Sequence, residues 1–127
     1  KVEVINGDGS ALLDSRNLEG EWHLALHTRS EAVKLEPGKK YQLEFDYRII
    51  EGGLDYPDNP FGVAGRTPRG GVPQDIGTGR FWDGGKGSFG RRVVILEPKG
   101  YDDYYIFFSL HGRGAVVIDN LRLYRVK

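Results

Sequence analysis

Three histidines, a run of alternating aromatics and one aspartate set among aliphatic residues are the positions where this chain could do chemistry. In the segment Asp103 to His111, DYYIFFSLH, a strand sends Tyr104, Ile106, Phe108 and Leu110 to one face and Tyr105, Phe107, Ser109 and His111 to the other. The first row is the more apolar and is expected to face a core. The second is amphipathic. An aromatic ring offers a flat apolar surface to the C–H face of a sugar, while hydroxyl, imidazole and guanidinium groups hydrogen-bond sugar hydroxyls. Other segments repeat the mixture: His23 and His27 alternate out of phase with Trp22, Leu24 and Leu26, and Arg48 out of phase with Tyr47. With Arg66 and Trp82 from the glycine-rich middle, the expected carbohydrate-contact set is His23, His27, Arg48, Arg66, Trp82, Tyr105, Phe107 and His111. Plainer readings stay open for each. Tyr105 and Phe107 could lie beneath a long loop, Trp82 could anchor one, His111 could belong to the turn at GRG, and Arg48 and Arg66 could be solvated. The row as a whole, rather than any one member, carries the reading.

The same residues bear on metal and catalytic chemistry. His23 and His27 would align on a helix, but on a strand they share a face about 13 Å apart, too far for one ion. Asp119 has the phase of Val117, Leu121 and Leu123, which reads as the core side. A carboxylate there is costly unless it is bonded or holds a metal. A calcium ion held by Asp119, backbone carbonyls and Glu3 is one expectation. An edge aspartate accepting backbone N–H groups is the other. The early VINGDGS fits an EF-hand loop at Asn6, Asp8 and Gly9 but fails at Val4 and Ser15, the first and last ligand positions, so Asn6 to Ser10 reads as a turn. Glu44 and Asp46, next-but-one on a strand, stand about 7 Å apart, within the span of an inverting glycosidase pair. Basic partners across a sheet explain them equally well. With no cysteine in the chain, disulfides, thiolate metal sites and a cysteine nucleophile are all excluded. The chain is expected not to be an enzyme.

The elements that must position these groups are strands. Tyr41, Leu43, Phe45, Tyr47 and Ile49 alternate with Gln42, Glu44, Asp46 and Arg48 after the turn EPGKK. Similar runs occupy residues 21–28, 91–97, 103–111 and 115–126, and helical periodicity of useful length is missing. Residues 51–90 are rich in Gly and Pro, yet Phe61, Val63, Ile76, Phe81 and Trp82 supply apolar runs for two short strands between long loops. Many short strands spaced by turns predict an all-β fold, a two-sheet antiparallel β-sandwich with jelly-roll topology. The length fits a single domain, residues 1–127. Eighteen basic and eighteen acidic residues cancel, so nothing draws the chain globally to nucleic acid or to acidic membranes, and no apolar run is long enough to span a bilayer. A monomeric module excised from a larger protein is expected.

Two framework motifs, LEPGKKY from Leu35 to Tyr41 and VVIDNLRLY from Val116 to Tyr124, resemble carbohydrate-binding modules of the galactose-binding-like jelly-roll group, such as families four, nine, sixteen and twenty-two. The resemblance covers both ends of the chain. It implies a groove on one sheet that binds a polysaccharide or oligosaccharide, and a neighbouring catalytic domain, a glycoside hydrolase, in the same secreted, extracellular protein. It also implies a structural calcium near Asp119. After NGD the families commonly carry an aromatic and a glutamate, where this chain has Gly9 and Ser10. The alternative is a structural spacer with no ligand of its own.

Overall fold

The structure is a computed structural model that describes residues 2–6, 10–16, 23–27, 33–51, 61–67, 74–80, 87–99, 103–111 and 113–126. Ten strands account for most of them: β1 (Val2–Asn6), β2 (Ser10–Asp14), β3 (His23–His27), β4 (Val33–Lys34), β5 (Lys40–Glu51), β6 (Phe61–Thr67), β7 (Gln74–Arg80), β8 (Phe89–Leu96), β9 (Asp103–His111) and β10 (Ala115–Val126). All pairings are antiparallel. One sheet has the order β1-β10-β5-β8, with β2 also on β10, and the other β3-β9-β6-β7, with β4 also on β9. The first is called sheet A and the second sheet B. The expected sandwich is therefore present, and β6 and β7 are the two short strands expected between residues 51 and 90.

One core joins the sheets. Sheet A supplies Tyr41, Leu43, Phe45, Tyr47 and Ile49 from β5, and sheet B supplies Tyr104, Ile106, Phe108 and Leu110 from β9. Each such buried side chain contributes about 1.5–3 kcal/mol relative to exposure. Phe45 and Phe108 meet edge to face between the sheets, with ring centroids 5.0 Å apart at 87°. At one margin the sheets nearly fuse. The Glu97 N–H donates to the Ile76 carbonyl at 2.9 Å. A Cβ on Gly77 would collide with the Ile95 carbonyl oxygen, so only glycine permits β7 to lie this close to β8. Ile76 is the extra residue of a bulge in the β6–β7 ladder, and it packs against the core.

Local chemistry explains the frame. In the turn before β5, Pro37 precedes Gly38, whose φ is 81°, and the Lys39 N–H donates to the Glu36 carbonyl at 3.3 Å. That is the type II arrangement, in which proline presets the first central residue and glycine supplies the left-handed second. Ser15, fully buried, ties β2 to the turn before β10. Its N–H donates to the Gly114 carbonyl at 2.8 Å, and its Oγ accepts from the Gly114 N–H at 3.1 Å.

Strand β10 corrects one reading of the sequence. Asp119 pairs with Asp46 and Arg122 with Glu44, so Asn120 and Leu121 together oppose Phe45 alone. Asn120 adopts the left-handed conformation, φ 53°, which asparagine tolerates better than most residues. The extra residue reverses the alternation. Val116 and Ile118 face the core before the bulge, Leu123 after it. Asp119 thus shares the outer face with Val117, and the expectation that it joins Leu123 on the core side is wrong.

Candidate functional site

Strand β9 decides which residues share the outer face of sheet B. Tyr104, Ile106, Phe108 and Leu110 are buried, whereas Tyr105, Phe107 and Ser109 are half-buried. This is the alternation expected from the sequence. Register then fixes what stands abreast of them. Tyr105 pairs with Arg66 of β6, and Arg66 with Asp75 of β7. Phe107 lies between His27 of β3 and Ala64 of β6, with Thr78 of β7 beyond. Ser109 lies between Ala25 and Gly62, with Arg80 beyond, and His111 opposes His23. Directly paired residues in an antiparallel sheet have their Cβ atoms about 4.5–5.5 Å apart.

Six of the eight expected carbohydrate-contact residues, His23, His27, Arg66, Tyr105, Phe107 and His111, therefore occupy register positions on one face. Ala25, Ser109 and Gly62 form a rung of small residues across its middle. Asp75, Thr78 and Arg80 are additions that sequence reasoning missed. Their membership depends on the β6–β7 register and its bulge, for which the glycine-rich segment gives no periodic signal.

The other two candidates fall elsewhere. Arg48 is on β5 in sheet A, exposed on that sheet's outer face, and so it cannot join the β9 row on the opposite side of the core. Its phase against Tyr47 was legible, but phase does not say which sheet a strand enters. Trp82 lies outside the described residues.

Around Arg48 the outer face of sheet A has its own hollow of about 490 Å³, lined among others by Ser10, Asp46, Phe89 and Asp119. Asp46 is firmly held there. Arg91 donates through Nε at 2.9 Å and Nη2 at 3.5 Å, and Asn120 donates through Nδ2 at 2.8 Å. Arg91 first, then Asn120, hold the Asp46 carboxyl below its ordinary range. Cross-strand pairing thus accounts for Asp46, and the Glu44–Asp46 spacing gives no free carboxylate pair. Asp119 accepts the N–H of Asn120 at 2.8 Å, stabilising the bulge that follows it.

The two expected calcium ligands stand apart in register. Glu3 pairs with Tyr124, whereas Asp119 pairs with Ser10 and Asp46. On the partner strand β5 the matching positions, Gln42 and Asp46, are four residues apart, about 13 Å of strand. Among the described residues no group of three or more His, Asp or Glu is placed to hold a metal.

No protein-family model matches the sequence, and no curated protein matches it. Solved structures do match in fold. A family 4 carbohydrate-binding module superposes with a TM-score of 0.63 at 12% identity, covering 98% of this chain and 77% of that one. The N-terminal part of Clostridium thermocellum endo-1,4-beta-D-xylanase 10B, a family 22 module and a GH10 module complexed with xylohexaose, gives 0.59 at 10% identity. That match covers 99% of this chain and 29% of the xylanase chain. A family 16 carbohydrate-binding module gives 0.52 at 14% identity, covering 95% of this chain and 87% of that one. The framework motifs and the coordinates agree: this is a jelly-roll β-sandwich with the fold of family 4, 16 and 22 carbohydrate-binding modules.

Proposed function

We propose that the chain is a non-catalytic carbohydrate-binding module that holds a polysaccharide or oligosaccharide on the outer face of sheet B. The observation that carries this is the placement of Tyr105 and Phe107, half-buried above the core, in register with Arg66, His27 and a rung of small residues. The rings would stack on sugar C–H faces, and the Tyr105 hydroxyl, Ser109, Arg66 and the histidines would bond sugar hydroxyls. Because the rings are set by a strand whose alternate residues are locked in the core, little ordering cost falls on binding. The fold shared with carbohydrate-binding modules supports the same reading.

Nothing in this role asks for proton transfer or a nucleophile. Asp46, a member of the carboxylate pair weighed from the sequence, is committed to Arg91 and Asn120. We further propose that the module is secreted, acts as a monomer and targets an attached glycoside hydrolase to its substrate, as the module-plus-enzyme arrangement of the matching xylanase suggests. Calorimetric titration against soluble xylan, β-glucan, mannan and agar-type oligosaccharides tests the proposal. Saturable binding in the micromolar to millimolar range, about −8 to −4 kcal/mol, is expected for at least one. Silence with all four classes would leave the spacer reading in its place.

A further inference from the structure

The outer face of sheet A has a feature that the proposed glycan face does not use. Register sets Leu12, Val117, Arg48 and Phe89 abreast across β2, β10, β5 and β8. The next rung holds Ser10, Asp119, Asp46 and Arg91. Phe89 is 78% exposed, an unusual state for a phenylalanine, and its strand partner Arg48 is also exposed. The Arg48 side chain makes no hydrogen bond or ion pair with any other described residue. The hollow beside them, about 490 Å³, is of ligand-site size and brings an aromatic ring, a guanidinium, a hydroxyl and two carboxylates together.

We propose that this hollow is a second saccharide site, on the opposite side of the sandwich from the first and selective for neutral sugars. Phe89 is the stacking platform. Arg48 is the donor to sugar oxygens. Asp119 and Ser10 accept from sugar hydroxyls along the next rung. Asp46 is held rigid by Arg91 and Asn120, so the polar wall is fixed before any ligand arrives. Asp46 and Asp119 stand directly opposite one another, and their charges are balanced by the Arg91 and Arg48 guanidinium groups, so the hollow offers a uronate no net attraction. A broad apolar interface for a neighbouring protein domain would exclude charge from its centre, whereas here the charges line the hollow itself. With sites on both faces, one module could bridge two glycan chains.

This inference rests on the reading of the chain as a glycan-binding module, and the experiment separates the two. Amide spectra of the 15N-labelled protein are followed during titration with xylohexaose, cellohexaose and trigalacturonate. The amides of Ser10, Arg48, Phe89 and Gly90 report one face, and those of Gly62, Tyr105, Phe107 and Ser109 the other. With a neutral oligosaccharide the Phe89 group is expected to shift saturably, and to go on doing so in a Tyr105→Ala/Phe107→Ala double variant. Phe89→Ala, at so exposed a position, should fold normally and weaken that response at least roughly tenfold, while Phe89→Tyr preserves it. A Phe89 group that stays silent while the β9 group responds, that responds only to trigalacturonate, or that responds equally in Phe89→Ala, would overturn the second site and leave the first intact. Silence of both groups with every neutral oligosaccharide would overturn both.

Discussion

The two outer faces of the sandwich draw on similar residues and use them differently. On sheet B the aromatics Tyr105 and Phe107 are half-buried, placed by β9 with its alternate side chains locked in the core. On sheet A the exposed aromatic of the hollow, Phe89, stands 78% exposed on an edge strand, and the neighbouring charges are tied to one another through Arg91, Asp46 and Asn120. The lesson is that an aromatic row becomes a rigid platform when the strand beneath it is central. A similar mixture at an edge depends on cross-strand ion pairs for its order.

Four experiments sharpen or break this contrast, taken from the largest expected effect to the smallest. Phe108→Ala removes the ring beneath the sheet B face that meets Phe45 across the core. It should cost about 3–5 kcal/mol in denaturant unfolding and loosen the β9 row, weakening glycan binding as well. Asn120→Ala puts alanine, which tolerates a left-handed φ less well than asparagine, at this position and removes the bond to Asp46. A loss of about 1–2 kcal/mol is expected, with binding at Tyr105 and Phe107 unchanged, while Asn120→Gly should cost less than Asn120→Ala. The Tyr105→Ala/Phe107→Ala pair should do the reverse. Because both side chains are only half-buried, affinity should fall at least roughly tenfold in calorimetry with less change in stability than Phe108→Ala produces.

The smallest effect is with pH. Asp14 is held at about 2 by the Arg16 side chain and backbone N–H, and Asp46 is held below its ordinary value by Arg91 and Asn120. Carboxyls that bind protons less readily when folded add stability that is complete above their ordinary pKa, near 3.8, and is lost as pH falls through the lower folded value. Thermal unfolding should therefore drop between about pH 4 and 2, and Arg91→Gln should flatten the share due to Asp46. Both pairs are near the surface, so the change will be modest. Arg91→Gln should leave binding on sheet B unchanged.

Much of the fold was legible because its signals are local. Strict alternation from Tyr41 to Ile49 names the core face of β5, and Pro37-Gly38 names the turn before it. The β9 alternation likewise gave the half-exposed row, including Tyr105 and Phe107. Register and sheet membership are not local. Arg48 alternates correctly yet belongs to the other sheet, and Asp75, Thr78 and Arg80 join the face only through pairings across β6. Asp119 was misplaced for a subtler reason. A single left-handed residue inserts one extra position and turns every later side chain of β10 over. The dipeptide Asp119-Asn120, two turn-forming residues inside a strand pattern, was the available sign.

The account stands most directly on where a sugar sits. A crystal structure of the protein with the tightest-binding oligosaccharide of the calorimetric panel should show sugar rings within about 4 Å of the Tyr105 and Phe107 side chains, against the small-residue rung of sheet B. An oligosaccharide bound only elsewhere, with those two rings covered by protein, would contradict it.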